Sequence, residues 1–358
     1  MRLLFDLGHP AHVHLFRNVI KRLKRSGGSA LVTSRHKDIT VDLCRAYDIP
    51  QVVLSKACTE TFLSGIGELL HRTFRLWQEA VRFKPHALLG TSGSIGAVAK
   101  LLQRPSFFFG EDDANVISLF AKTVYPTCTY IVTPACLKHE DHGSKHLTYP
   151  GYHELAYLHS NHFSPDPGVL QSIGLKPSDP YFVLRFVALR AHHDVDAGGL
   201  PMEILSRLVG RLGERGRVLI TSEKELPSGF ERYRLPVPVH QFHDVLAFAS
   251  MCIGDSQTVA AEAAVLGIPN IRCNTFVGRL SYLNELETRY GLTRGVMPQQ
   301  RDVLFRTVDG WLDHLESVKH EWQMRRRTLL THTVDLAQWQ WKTLNDLVKS
   351  DNGRRQRL

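Results

Sequence analysis

Among its six cysteines the sequence has no CxxC pair, and it has no repeat shorter than a domain and no low-complexity tract. Without that spacing, cysteines 44, 58, 128, 136, 252 and 273, several of them in apolar runs, read as reduced core residues of a cytosolic protein. No apolar run approaches the ~20 residues that span a bilayer, and no signal peptide is expected, because Met1 leads straight into a strand. Basic runs are confined to Arg325-Arg326-Arg327 and the closing RRQRL, so nucleic acid is not the expected partner.

What is present is a soluble, globular composition: 358 residues, 43% hydrophobic and 22% charged, enough for two domains with a core each. Lys and Arg total 44 against 35 Asp and Glu, a net charge of +9. That balance fits an anionic membrane surface or an acidic substrate.

The stretch Cys252 to Arg272, CIGDSQTVAAEAAVLGIPNIR, organises the second half. An apolar strand leads into Gly254-Asp255-Ser256, a turn with a helix N-cap signal. An Ala-rich helix follows and stops at Gly267, with Pro269 just beyond, before another apolar strand. Such a strand–turn–helix offers backbone N–H groups and the positive end of a helix dipole to one point, which suits a phosphate or diphosphate. Asp255, Ser256, Gln257 and Thr258 form the turn, with hydroxyl donors on Ser256 and Thr258. Glu262, nearly two helical turns past Ser256, can accept hydrogen bonds from sugar hydroxyls. The alternative is a plain N-capped helix with Glu262 solvated.

Further strand ends carry candidates. Arg185 closes the strand Tyr181 to Phe186 and can meet a diphosphate with its planar guanidinium, and Arg190, His192 and His193 stand in the loop beyond. Ser222 ends the strand that begins at Arg217. His240 and Phe242 lie in the loop ahead of the organising stretch.

In the first half, the strand Leu3 to Leu7 runs into Gly8-His9-Pro10-Ala11-His12-Val13-His14, read as a loop, with a helix from about Leu15 to Ser26. The histidines then sit at the carboxyl edge of a parallel sheet, where open α/β sheets bind ligands. They do not share a helix on this reading, so no metal is expected there. The chemistry expected is a general base, His12 or His14, with Asp6 either a partner for one imidazole or a buried structural residue. After the strand Ser106 to Phe109 come Glu111, Asp112 and Asp113, three adjacent carboxylates that require a raised pKa or a cationic partner. Residues 59–83 read as an amphipathic helix, packed inward by default or laid on an anionic membrane.

Several of these stretches resemble a known family. The turn at Ser256 and Glu262 is similar to the donor-site signature of GT-B proteins, both the glucosaminyltransferase that makes lipid II and the non-hydrolysing UDP-N-acetylglucosamine 2-epimerases. Gln257 and Thr258 stand where the epimerases have two glycines. GHPAHVHLF resembles the transferase's opening loop, with His12 at its histidine, and TSGS…GAVAKLL…PSFFFGEDDAN resembles its acceptor-side loops. The chain is identified as a member of a GT-B family described as a domain of unknown function, whose members open with a strand and an x-P-x-H-V-H-x-F loop.

The resemblance implies an α/β fold with two Rossmann-like domains facing a cleft: 1–160 on the acceptor side and 161–334 on the donor side, with a last helix, about 335–350, crossing back. It implies a metal-independent glycosyltransferase without cofactor, taking a nucleotide sugar, with UDP the expected carrier, to a glycan or lipid-linked acceptor in surface polysaccharide synthesis. The protein would be cytoplasmic and peripheral on the inner membrane face. His12 or His14 would be the base, Glu111 and Asp113 would hold the acceptor, and Arg185, His193, Ser222, His240, Phe242, Asp255, Ser256, Gln257, Thr258 and Glu262 the donor. Two other readings stand: a UDP-sugar 2-epimerase, against which the missing Gly-Thr-Arg-Pro-Glu opening counts, and a non-catalytic nucleotide-sugar-binding protein.

Overall fold

The computed structural model describes residues 1–36, 39–56, 62–187, 202–222 and 225–355. The chain divides into two compact units, residues 1–162 with 334–358, and residues 163–333.

Unit 1 holds strands β1 (Arg2–Leu7), β2 (Ser29–His36), β3 (Val52–Lys56), β4 (Ala87–Gly90), β5 (Ser106–Phe109), β6 (Tyr130–Pro134) and β7 (His146–Tyr149). All are parallel, in the order β3-β2-β1-β4-β5-β6-β7. Helices α1 (Pro10–Arg25), α2 (Thr40–Ala46), α3 (Phe62–Phe83), α4 (Ser94–Leu101) and α5 (Ser118–Val124) connect them. Unit 2 holds β8 (Tyr181–Phe186), β9 (Arg217–Ser222), β10 (Met251–Gly254), β11 (Asn270–Cys273) and β12 (Arg294–Val296), parallel, in the order β12-β11-β10-β8-β9. Its helices are α6 (Gly168–Ser172), α7 (Met202–Gly213), α8 (Phe242–Leu246), α9 (Gln257–Leu266), α10 (Ser281–Thr288), α11 (Arg301–Asp313) and α12 (Leu315–His332). The last helix, α13 (Leu336–Arg355), belongs to unit 1. Val334 N–H donates to Pro150 O at 3.0 Å, and Trp339 packs on Tyr149 at 5.4 Å.

Both sheets are covered on both faces, which is why their strands read as continuous apolar runs rather than alternating ones. In β1, Leu3, Leu4 and Phe5 are all fully buried, each contributing roughly 1.5–3 kcal/mol of hydrophobic stabilisation. In each unit the strand order reverses once, between β1 and β4 and between β10 and β8, and open α/β sheets bind ligands at the carboxyl ends of such strands.

Helix α1 starts five residues earlier than the apolar spacing predicts. Pro10 supplies the fixed φ of a first helical position, and the His9 side chain caps the end, Nδ1 accepting from Ala11 N–H at 3.3 Å. His12 and His14 therefore do share a helix.

Helix α3 corrects the inward default for its apolar stripe. Leu76, Ala80 and Arg72 face the interior, while Leu69, Leu70, Phe74, Trp77 and Val81 are exposed. The reason is an ion pair: Arg72 turns inward to Asp6, and residues four apart share its face.

Candidate active site

At the switch point of unit 1, Asp6 lies fully buried at the end of β1. Its Oδ1 accepts from Arg72 at 2.7 Å and from Thr33 at 2.8 Å, and its Oδ2 from Ser92. The carboxylate thus serves a buried ion pair and two hydroxyls, not an imidazole as the sequence suggested. A buried pair of this kind keeps its geometry because either ion alone would be strongly destabilised.

His12 stands beside this network, half-buried in the first turn of α1. Gly8 N–H donates to its Nδ1 at 3.2 Å, which makes that nitrogen an acceptor and places the neutral ring's proton on Nε2. Thr91 Oγ1 lies 2.8 Å from Nδ1 and 2.9 Å from Nε2. His14, two residues on, points elsewhere, since successive helical residues are about 100° apart. It is buried against Tyr157, stacked at 5.0 Å, and meets the edge of Tyr47 at 5.6 Å. The structure brings His12 to the strand edge and packs His14 away from it.

The carboxylate run after β5 shows the raised pKa that its crowding requires. Burial, then the neighbouring Glu111 and Asp113 charges, raise Asp112 to about 6. Glu111 has an imidazole within reach, His153 Nδ1 lying 3.2 Å from its Oε2. Asp113 is buried, its backbone oxygen accepting from Val116 N–H at 2.9 Å.

In unit 2, Ser256 caps α9, its Oγ accepting from Val259 N–H at 3.3 Å. At the other end Gly267 takes φ 71°, the left-handed conformation that closes helices. Ser256, Gln257 and Thr258 are half-buried at this helix start. Asp255 is turned inward: its Oδ1 accepts from Val187 N–H at 2.8 Å, its N–H donates to Arg185 O at 3.2 Å, and its backbone oxygen accepts from Asn274 at 2.8 Å. Asp255 thus joins β8, β10 and the end of β11. Gly254 is required, because a Cβ there would stand 2.0 Å from Arg185 O.

Glu262 is buried two turns into α9, with Oε1 2.9 Å from His243 Nε2 on α8. Arg185 and Ser222 lie at the ends of β8 and β9, two strands that pair through this segment. His240 and Phe242 are half-buried where the segment Val239–Gln241 meets α8. Arg190, His192 and His193 lie outside the described residues.

Sequence reasoning missed Arg72, Thr91, His153 and His243. Their partners are 66, 79, 42 and 19 residues away in the chain, so no local spacing signals them. It missed a further group: oxygens of Asp113 and Glu140 and a ring nitrogen of His139 all lie within 4.8 Å of one another, able to hold a metal ion. Adjacent His139 and Glu140 were its only local signal. The five cysteines among the described residues are unbridged, and burial pushes the thiols of Cys44, Cys252 and Cys273 up to about 12. No helix among the described residues is long and apolar enough to cross a membrane.

Two parallel sheets, each with one switch point, and a last helix belonging to the first unit make this a GT-B type α/β protein, the fold it shares with solved structures along nearly its whole length. The S. aureus MnaA–UDP co-structure matches 94% of this chain and 93% of its own at 15% identity, with a TM-score of 0.67. The spinosyn forosaminyltransferase SpnP matches 98% and 99% at 15% identity and TM-score 0.64. The UDP-GlcNAc 2-epimerase from Neisseria meningitidis, bound to UDP-GlcNAc, matches 92% and 100% at 13% identity and TM-score 0.61. No curated protein matches. Residues 1–327 match the family described as "Protein of unknown function (DUF354)", and the chain belongs to that family.

Proposed function

We propose that the protein is a glycosyltransferase that moves a sugar from a nucleotide-sugar donor, with UDP as its carrier, to a hydroxyl of a glycan or lipid-linked acceptor in surface polysaccharide synthesis. The observation that carries this reading is the start of α9 at the switch point of unit 2, capped by Ser256 and set beside Arg185. Solved relatives with this fold hold UDP or UDP-GlcNAc. The N–H groups of the Gln257–Thr258 turn and the Arg185 guanidinium receive the diphosphate. Their preorganised charge stabilises it as it departs, without a metal ion at that point. Glu262, oriented by His243, accepts from the ribose hydroxyls, and Ser222, His240 and Phe242 lie toward the base.

In unit 1, His12 takes the acceptor proton on leaving its Gly8 and Thr91 contacts, assistance worth ~10²–10⁴ in rate. Glu111 and Asp113 lie on the acceptor side. The exposed row Leu70, Phe74, Trp77 and Val81 on α3, with Arg75 and Arg82 on the same helix, gives a lipid-linked acceptor a place to meet the protein at the inner membrane face. Arg72, buried with Asp6, takes no part in that surface.

A thermal-shift panel of nucleotides and nucleotide sugars is the first test, since a ligand at 100 times its Kd stabilises by about 2.7 kcal/mol. Glu262→Ala should then raise the donor KM. If no nucleotide shifts the transition, the donor reading fails. The fold relatives named as 2-epimerases favour a second reading, elimination and re-addition of UDP within one molecule. Exchange of the C2 proton in UDP-N-acetylglucosamine given alone would select it. Donor binding without turnover on any acceptor would leave a binding protein.

A further inference from the structure

We propose that Asp113, His139 and Glu140 form a divalent-cation site in unit 1, built from other residues than the donor turn of unit 2 and sharing only Asp113 with the acceptor side of the transfer reading. Strands β5 and β6 are neighbours in the sheet, so the segments leaving their carboxyl ends run side by side. Asp113 comes from the segment after β5. His139 and Glu140 come from the 3₁₀ segment Ala135–Glu140 that follows β6. One oxygen of each carboxylate and one imidazole nitrogen lie within 4.8 Å of one another. Bonds of ~2.0–2.2 Å to a central ion need these atoms to close by about an ångström, and His139 is exposed and able to make that movement.

The partners around the group prepare it for a cation. His139 Nδ1 lies 3.0 Å from Cys136 O. A ring nitrogen facing a carbonyl carries the proton, which leaves the lone pair of the neutral imidazole on Nε2 for a metal. Glu140 Oε1 accepts from Ala114 N–H at 2.5 Å, and its Oε2 lies 3.2 Å from His142 Nε2. His142 is itself held by the edge of Tyr125 at 5.0 Å and by His146 at 4.7 Å. A carboxylate fixed at both oxygens by donors that are not ligands is the arrangement by which proteins aim metal ligands. One nitrogen and two carboxylate donors suit Zn²⁺ or Mn²⁺ over Mg²⁺, which takes oxygen and keeps its waters. An ion here would fasten the segment carrying Glu111 and Asp112 to the segment after β6.

The test uses untagged full-length protein stripped with a chelator, titrated calorimetrically with ZnCl₂, MnCl₂ and MgCl₂. The expected result is one Zn²⁺ or Mn²⁺ per chain, lost by at least 100-fold in affinity in His139→Ala and in Asp113→Asn. His142→Ala, which removes a support and no ligand, should weaken binding 10- to 100-fold. Because His139 is exposed, metal-free His139→Ala should melt like the metal-free parent, so loss of binding is not loss of fold. At 100 times Kd the metal should raise the folded-to-unfolded ratio of the parent about 100-fold and slow amide exchange in 111–117 and 136–142. No stoichiometric binding, undiminished affinity in His139→Ala, or protection confined to other segments would each overturn the site.

Discussion

At the switch point of unit 1, β1 and its neighbours are tied by side chains: Asp6 gathers Arg72 from α3, Thr33 from β2 and Ser92 from the segment after β4. At that of unit 2, β8 and β10 are tied through backbone groups. Gly254 lets the strands approach, Asp255 N–H reaches Arg185 O, and Val187 N–H and the Asp255 oxygen meet single side-chain partners. A side-chain network can be retuned by one substitution. A backbone cradle keeps its N–H directions whatever side chains surround it, which is what a diphosphate requires. The two switch points of one fold are therefore held differently: by a side-chain network in unit 1, and largely by backbone groups in unit 2.

The largest effect should come from breaking the side-chain side of this contrast. Arg72→Met leaves Asp6 buried and unpaired, and should cost about 3–5 kcal/mol in urea unfolding of the intact chain. Adding Asp6→Asn should recover part of it. A loss below about 1 kcal/mol would mean that the pair does not hold β1 to α3.

A middle-sized effect of opposite sign should appear at Asp112. Its folded pKa, raised from 3.8 to about 6, favours the protonated form. The stability linked to it is complete below about 4 and is lost as pH rises through 6. Asp112→Asn cannot lose a proton, so it should match the parent at pH 4 and exceed it by about 1–3 kcal/mol at pH 7.5. Melting curves across that range decide it, and a pH-independent difference would remove burial and crowding as the cause.

The smallest effect should fall on the backbone side. Ser256→Ala removes the α9 cap and should cost about 1 kcal/mol, whereas Ser256→Gly should cost only a few tenths. If Ser256→Ala abolished nucleotide-induced stabilisation while leaving unfolding unchanged, the hydroxyl would be a ligand group rather than a cap.

How far the sequence carried this contrast follows from the range of each interaction. The Ser256 cap and the Gly267 stop were legible, because both are settled within a few residues. So were the buried strands. Helix α1 was placed late because a histidine N-cap is outside the usual Ser, Thr, Asp and Asn set. The stripe on α3 could not be oriented, since nothing within residues 62–83 tells which face meets Asp6. Glu262 was singled out by spacing, but its His243 partner sits on another helix and could not be. The first-turn histidines were read as a base and not as metal ligands, and the three groups that do converge come from two separate loops that no local spacing joins.

The membership of α13 in unit 1 has a consequence for how the protein is made. Residues 163–333 form one uninterrupted segment, while unit 1 needs both the opening 162 residues and the residues from 334 onward. As synthesis proceeds at ~5–20 residues per second, the middle segment is made whole before the residues that finish the opening unit. For those seconds the surfaces that receive Trp339 and Trp341, around Tyr149 and Arg22, stand in water. The unit begun first is completed last.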